Sequence, residues 1–143
     1  MYTWIGINRT FSDVIIEVDA QQIGGPDYNE FGVTCRVKDE DNFYLFVVGG
    51  DGYYGIAKKI DNVWIDLSDS GGGFNKNVIK AKPIMNHLKV TCNYEELTLE
   101  VNGSILIEVS APDLRSGDVG LYVAAFDEPG VEILFDNFVV TKP

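Results

Sequence analysis

The sequence has few basic residues, no long apolar run and one histidine, and each shortage excludes a class of function. Eleven Lys and Arg against 22 Asp and Glu give a net charge of -11, which argues against nucleic acid because phosphate backbones are bound by basic patches. No apolar run approaches the roughly 20 residues of a membrane span, so membrane insertion is not predicted. The opening, MYTWIGINRTFSDV, lacks the basic and apolar segments of a signal peptide.

Only two cysteines are present, Cys35 and Cys92. With one histidine and no CxxC spacing they cannot form a zinc site. Each lies in an alternating apolar pattern, VTCRV and LKVTC, which favours buried free thiols that behave as small hydrophobic residues. A single disulfide between them is the alternative.

The chain reads as about ten short strands separated by glycine-rich and Asx-rich turns, and no stretch has a helical period of useful length. The strands are predicted at 13–20, 28–38, 43–48, 53–59, 63–67, 87–92, 97–101, 104–109, 119–126 and 131–141. Asn102-Gly103 is the strongest hairpin signal. The glycine-rich stretches GGDGYYG and SGGGFNKN lack the lysine and the helix of a phosphate-binding loop, and both are interpreted as turns. Regularly spaced strands predict a β-sandwich or barrel.

The C-terminal segment VEILFDNFVVTKP contains an irregularity. Side chains alternate along a strand, so Phe135 and Phe138, three residues apart, cannot both face one core in a regular strand. A bulge at Asp136-Asn137 solves this, because Asp and Asn tolerate such a backbone and can hydrogen-bond it locally.

The stretch from His87 onward carries a more specific pattern. HLKVTCNYEELTLEVNGSILIEV, then SGDVGLYVAAF, then VEILFDNFVV resembles the concanavalin A-like lectin/glucanase superfamily, especially laminin G-like domains and bacterial domains related to 3-keto-disaccharide hydrolases. The resemblance covers Phe31 to Val140. It implies an all-β, antiparallel jelly-roll β-sandwich with a concave face. We expect one such domain over 1–143, extracellular or at a bacterial cell surface within a larger protein, with N-terminal strands of the family missing before Phe11.

Aromatic residues are the main lead to a ligand. The strand FYLFVV, 43–48, is apolar on both faces, so one face packs in the core and the other is covered or forms a recognition surface. Rigid, amphipathic rings suit a carbohydrate or protein ligand, whereas the alternative is that most of them are ordinary core or rim. The predicted ligand-binding residues are Arg36, Tyr44, Tyr54, Lys58, Trp64 and Tyr122.

A catalytic site is not predicted, although Glu17 and Asp19 would share one face of a strand. Retaining glycosidases of the resembling superfamily carry a third carboxylate on such a strand, and here Gln21 and Gln22 follow. His87 is interpreted as a solvated edge residue. A non-catalytic binding module is therefore the favoured function, with a glycoside hydrolase and a structural domain without a small ligand as alternatives.

Calcium is the one cofactor suggested, because relatives in the superfamily often bind it through carboxylate and carbonyl oxygens. The chain has no EF-hand loop, so the signal is compositional. Asp136 is the candidate metal ligand, and the acidic turns that contain Asp39, Asp41 and Asp127 could contribute.

Overall fold

The computed structural model describes residues 2–68 and 72–143, and within these residues the secondary structure consists of β-strands. The strands are β1 (Tyr2–Gly6), β2 (Val14–Gly24), β3 (Asn29–Asp39), β4 (Asn42–Val48), β5 (Tyr53–Ile60), β6 (Val63–Asp66), β7 (Gly73–Phe74), β8 (Met85–Asn93), β9 (Glu96–Val101), β10 (Ser104–Ser110), β11 (Asp118–Ala125) and β12 (Glu132–Thr141). All ten predicted strands are present, and β1 and β7 are additional. Positions 69–71, in the predicted glycine-rich loop, lie outside the described residues. No helix capable of crossing a membrane occurs in the described part.

The strands form two antiparallel sheets. The larger has the order β1-β11-β3-β4-β5-β6, with β7 also paired to β5, and the smaller has the order β10-β9-β8-β2-β12. Sequence neighbours β8, β9 and β10 pair as a meander, whereas β2–β12 and β3–β11 join distant parts of the chain. The all-β antiparallel sandwich is therefore confirmed.

The main core lies between the sheets, because alternate residues of each strand point inward. It combines Val33, Phe46 and Ile56 from the large sheet with Ile16 and Leu99 from the small one. All five are at most 1% exposed. Close packing of large aliphatic and aromatic side chains from both layers holds the sheets together.

Cys35 on β3 and Cys92 on β8 form a disulfide across this core, so the preference for free thiols is wrong. The alternating pattern placed both cysteines correctly in the interior, and both are 0% exposed. Sequence could not show that the two inward positions face each other, because the juxtaposition depends on how one sheet stacks on the other.

The predicted bulge in β12 is confirmed. The pairing of β12 with β2 shifts between Asp136 and Val139, and Asn137 has a left-handed φ of 55°. Phe135 and Phe138 consequently both pack against the core. The Asn102-Gly103 hairpin is also confirmed, since these residues join β9 to β10 with φ values of 50° and 86°.

Candidate functional site

The outer face of the large sheet is unusually rich in aromatic rings. Paired residues on neighbouring strands point to the same side, and the pairs Trp4↔Tyr122, Phe43↔Lys59 and Lys59↔Trp64 therefore place these side chains on one face. The register adds Tyr2 opposite Ala124. We call this surface the aromatic face; its rings are Tyr2, Trp4, Phe43, Tyr53, Trp64 and Tyr122.

A second apolar cluster forms the floor of the aromatic face. Leu45, Val47 and Tyr122 are at most 4% exposed although they point away from the inter-sheet core, and Trp4 and Tyr53 pack against their cluster. Trp4 is oriented by a 2.7 Å hydrogen bond from its indole Nε1 to Thr34 Oγ1. The floor is therefore rigid and apolar, which suits a surface that receives a ligand without rearrangement.

Lys59 lies on this face, and its ammonium contacts the aromatic rings around it. Its Nζ lies 5.5 Å from the centre of the Tyr2 ring and 5.2 Å from that of Trp64, within the range of cation–π attraction. The same ammonium donates a 3.1 Å hydrogen bond to the Tyr2 hydroxyl. Lys59 is only 6% exposed, whereas Tyr2 and Trp64 remain 40% and 43% exposed. The lysine thus holds two partly exposed rings in place.

Two cavities open on the aromatic face, with Tyr2 in the wall of both. One, of about 590 Å³, lies towards Asn8, Arg9 and Asp39. The other, of about 480 Å³, lies among Tyr53, Trp64 and Tyr122 and also contains Glu30, so we call it the Glu30 cavity. Tyr2 stacks on Tyr122 with ring centres 5.3 Å apart. The face is thus a groove with two compartments.

Carboxylates give the Glu30 cavity its electrostatic character. Glu30 and Asp66 both line it. Burial, reinforced by the negative charges of Asp51 and Asp66, raises the pKa of Glu30 to about 7. Burial also raises the pKa of Tyr53 to about 12, with Glu30 as the largest charge contribution. The cavity therefore combines aromatic walls with carboxyl groups whose negative charges repel one another.

Of the six predicted ligand-binding residues, Arg36 and Tyr44 lie inside the protein, at 1% and 0% exposure. The Arg36 guanidinium donates to the carbonyl oxygens of Ser12, Tyr94 and Leu114 and forms an ion pair with Asp13. The Tyr44 hydroxyl donates to the Ala111 carbonyl and accepts from the Leu114 N–H. Both side chains are structural, and neither offers a surface to a ligand.

Tyr54 and Lys58 also lie away from the aromatic face. Their pairs Val48↔Tyr54 and Tyr44↔Lys58 place them on the side of the sheet that faces the core. Tyr54 packs against that core, and Lys58 forms a 2.8 Å ion pair with Asp113. Trp64 and Tyr122 are thus the two predicted residues that the structure brings together.

Several residues of the aromatic face were not predicted, although one turn in the sequence could have identified Lys59. Asp61-Asn62 joins β5 to β6 as a two-residue hairpin, which sets Lys59 opposite Trp64 and Lys58 opposite Ile65. Lys59, rather than Lys58, therefore shares a face with Trp64. The places of Tyr2 and Trp4 had no such signal, because β1 pairs with β11, more than a hundred residues away.

Glu17 and Asp19 lie on the outer face of the other sheet, where both contact His87. His87 Nε2 is 2.9 Å from Glu17 Oε1, and Nδ1 is 2.7 Å from Asp19 Oδ1. Hydrogen bonds to Glu17 and then Asp19 raise the pKa of His87. His87 is on β8, which has neighbours on both sides, so its interpretation as an edge residue is wrong. This cluster is separated from the aromatic face by the whole sandwich.

Asp136, the candidate metal ligand, accepts a 2.8 Å hydrogen bond from the Asn137 N–H. Across residues 2–68 and 72–143, His, Cys, Asp and Glu side chains do not gather in threes in a way that could hold a metal ion. In the acidic turn before β4, Asp39 accepts hydrogen bonds from the Asp41 N–H and the Asn42 side chain. The local contacts of Asp136 and Asp39 are those of backbone-stabilising residues.

Comparison with solved structures shows which fold this is; no family model and no curated protein matches the sequence. A carbohydrate-binding module, CBM66, from Bacillus subtilis superposes with a TM-score of 0.79 at 18% identity, over 97% of this chain and 81% of that one. Sheep galectin-11 gives 0.66 at 12% identity, over 99% and 96%. A putative glycosyl hydrolase from Parabacteroides distasonis gives 0.68 at 13% identity, over 100% and 84%. The chain therefore has the jelly-roll fold of the concanavalin A-like lectins and glucanases, as the sequence resemblance predicted.

Proposed function

We propose that this chain is a non-catalytic carbohydrate-binding module that holds an oligosaccharide in the groove of the aromatic face. The observation that carries the proposal is the pair of partly exposed rings, Tyr2 and Trp64, above a rigid apolar floor. Rings fixed by packing lose little conformational freedom on binding and can contact the apolar faces of a sugar. The two compartments fit more than one sugar unit.

The comparisons support the same proposal from a different direction. A carbohydrate-binding module and a galectin of known structure share the fold over nearly the whole chain. A shared fold alone does not establish a ligand, whereas the aromatic face offers a surface that can hold one. The acidic net charge is compatible with neutral or cationic saccharides and disfavours polyanionic ones.

Glycan-array binding at neutral pH, with and without calcium, tests the proposal. Wild type should bind a defined set of oligosaccharides, and Trp64→Ala should weaken that binding at least tenfold, or about 1.4 kcal/mol. Tyr94→Asn is the matched control: Tyr94 is an exposed aromatic residue in the β8–β9 turn of the other sheet, and its φ of 51° is tolerated by Asn. Absence of binding to every glycan would refute the saccharide proposal and favour a protein ligand.

We further propose that the module lies outside the cytoplasm, as part of a larger secreted or cell-surface protein. The Cys35–Cys92 disulfide supports this, because such bonds persist in oxidising compartments. Mass spectrometry of alkylated protein recovered from its native cells should find both cysteines protected from alkylation. Free, alkylated thiols in that material would contradict the proposed location.

A second candidate function is glycoside hydrolysis, and one observation favours it. Glu30 and Asp66 line the same cavity, and the pKa of Glu30 is raised to about 7. Glycosidases pair a carboxylic acid that retains its proton near neutral pH with an ionised carboxylate. Incubation of the purified protein with the oligosaccharides that it binds, followed by product detection, separates the candidates. Turnover that Glu30→Gln abolishes would establish the enzyme, and unchanged substrate would leave the binding module.

A further inference from the structure

The charged groups of the Glu30 cavity are unbalanced. Glu30 and Asp66 are in its wall, and Asp51 is close enough to act on Glu30. Asp66 Oδ1 accepts a hydrogen bond from the Ser68 N–H and Asp51 Oδ1 accepts one from the Tyr53 N–H. Glu30, by contrast, forms no side-chain hydrogen bond or ion pair with the residues that the structure describes. Among the residues described as lining it, the cavity therefore holds a half-buried carboxyl group without a compensating cation.

Lys59, on β5 of the aromatic face, does not supply that compensation. Its ammonium donates to the Tyr2 hydroxyl and lies over the rings of Tyr2, Phe43 and Trp64. The charges that act on the pKa of Glu30 are those of Asp51 and Asp66, and both raise it. A neutral ligand would leave this repulsion in place, whereas a ligand with a positive charge would relieve it.

The shape of the cavity selects among positively charged ligands. Its volume of about 480 Å³ and its wall of Tyr2, Trp64 and Tyr122 suit a ring-shaped body with apolar faces. A lysine or arginine side chain would bring charge to Glu30 without such a body. A hexosamine ring carries its ammonium directly on the ring, and therefore offers a surface to the aromatic side chains and a charge to the carboxylates at once.

From this charge complementarity we propose that the Glu30 cavity is a subsite for an amino sugar with a free ammonium group, which pairs with Glu30 and Asp66 while the sugar ring contacts the aromatic wall. This inference rests on the proposed saccharide-binding function and specifies its ligand class. It predicts a preference for de-N-acetylated over N-acetylated oligosaccharides of the same backbone, because acetylation removes the charge and adds bulk at that position.

Isothermal titration calorimetry at pH 6.5 with three tetrasaccharides tests the inference: β-1,4-linked glucosamine, its fully N-acetylated form, and β-1,4-linked glucose. Wild type should bind the glucosamine tetramer at least tenfold more tightly than the N-acetylated one. Glu30→Gln should reduce that ratio to less than threefold. Asp66→Asn, which also removes a negative charge that repels Glu30, should reduce the same affinity ratio. This second variant provides the measurement if Glu30→Gln does not fold.

Because a protein of net charge -11 attracts any polycation, the matched control is Glu108→Gln. Glu108 is exposed on β10 of the other sheet, so its substitution replaces a carboxyl group by an amide without touching the cavity. The wild-type ratio should persist in this variant. A ratio that falls equally in Glu108→Gln and Glu30→Gln, or that survives in Glu30→Gln, would overturn the subsite.

The outcomes also separate the two proposals. Equal binding of the charged and N-acetylated tetramers, with loss of both in Trp64→Ala, would overturn the amino-sugar subsite and leave saccharide binding intact. No binding of these tetramers together with a silent glycan array would overturn both. Binding of a tetralysine peptide as tight as that of the glucosamine tetramer would overturn the amino-sugar assignment in favour of a basic protein segment.

Discussion

Lys59 on β5 donates a 3.1 Å hydrogen bond to the hydroxyl of Tyr2 on β1, and so connects two strands that are separated by three others in the large sheet. Tyr2 in turn stacks on Tyr122 and meets Trp64 edge-on at 6.2 Å. This bond therefore connects the edge strand β1 to the opposite side of the aromatic face. It crosses the groove at the boundary between the two compartments.

Removing this connection should loosen the aromatic face. Lys59→Met keeps the length and apolar stem of the side chain but loses the ammonium, and we expect the free energy of unfolding to fall by about 1–2 kcal/mol. Tyr2→Phe, which removes only the hydroxyl, should cost about 0.5–1.5 kcal/mol. Urea denaturation checks both, with Lys38→Met at an exposed position as control. A stability equal to that of wild type in both variants would mean that the bond is not maintained in solution.

Arg36 should behave as a structural residue. Its guanidinium is buried and satisfies three carbonyl oxygens and the Asp13 carboxylate, so Arg36→Met should destabilise the protein by about 3–5 kcal/mol. At low temperatures, at which Arg36→Met remains folded, it should bind saccharide with wild-type affinity. Thermal unfolding and calorimetric titration measure the two properties separately. Weaker saccharide binding with unchanged stability would show that Arg36 is a ligand-binding residue, as the sequence predicted.

The His87 cluster should make stability depend on pH. Its neighbours raise the pKa of His87, so its contribution is complete below the unfolded pKa of about 6.5 and is lost as pH rises through the folded pKa. Hydrogen bonds from Asn137 and His87 lower the pKa of Asp19, and that contribution is lost in acid, as pH falls through the folded pKa of Asp19. Because the groups are partly exposed, we expect less than about 1 kcal/mol.

Melting temperatures of wild type and His87→Gln measured between pH 5 and 9 check this dependence. The stability advantage of wild type should be largest near pH 5–6, where the imidazole is charged, and should shrink towards pH 9. Lys142→Gln, at an exposed position near the C-terminus, is the control for a general charge effect. An advantage that grows towards pH 9 would contradict the assigned sign.

The Cys35–Cys92 disulfide should be a large contributor to stability. It closes a separation of 57 residues, for which the chain-entropy account gives about 4 kcal/mol. Cys35→Ala with Cys92→Ala should lower the free energy of unfolding by roughly 2–4 kcal/mol. Guanidinium unfolding of wild type with and without reductant, compared with the double variant, checks this. The reductant should have no effect on the variant, and a response there would indicate a different cause.

The main role of Asp136 should be to stabilise the fold, and any effect on a ligand should be secondary. Its carboxylate accepts from the Asn137 N–H and supports the left-handed residue of the bulge, so Asp136→Ala should cost about 1 kcal/mol. Adding a chelator in the same experiment tests the calcium site predicted from the sequence. If a chelator lowers the melting temperature of wild type but not of the variant, Asp136 is a calcium ligand.

The sequence by itself determined the features that depend on neighbours in the chain. Alternation of apolar residues defined the strands, Asn102-Gly103 defined a hairpin, and the three-residue spacing of Phe135 and Phe138 required a bulge, because backbone geometry allows few solutions to each local pattern. The resemblance in the C-terminal half led from these strands to the correct fold.

Only the tertiary structure decided which residues meet across the sheets. The pairing of β1 with β11, the bond between Cys35 and Cys92, and the convergence of Glu30 with Asp66 all join residues that are distant in sequence. For the same reason Arg36 and Tyr44, interpreted as recognition residues, proved to be internal. An apolar strand has two faces, and which of them meets the other sheet is set by the stacking of the whole sandwich, a property that no local pattern contains.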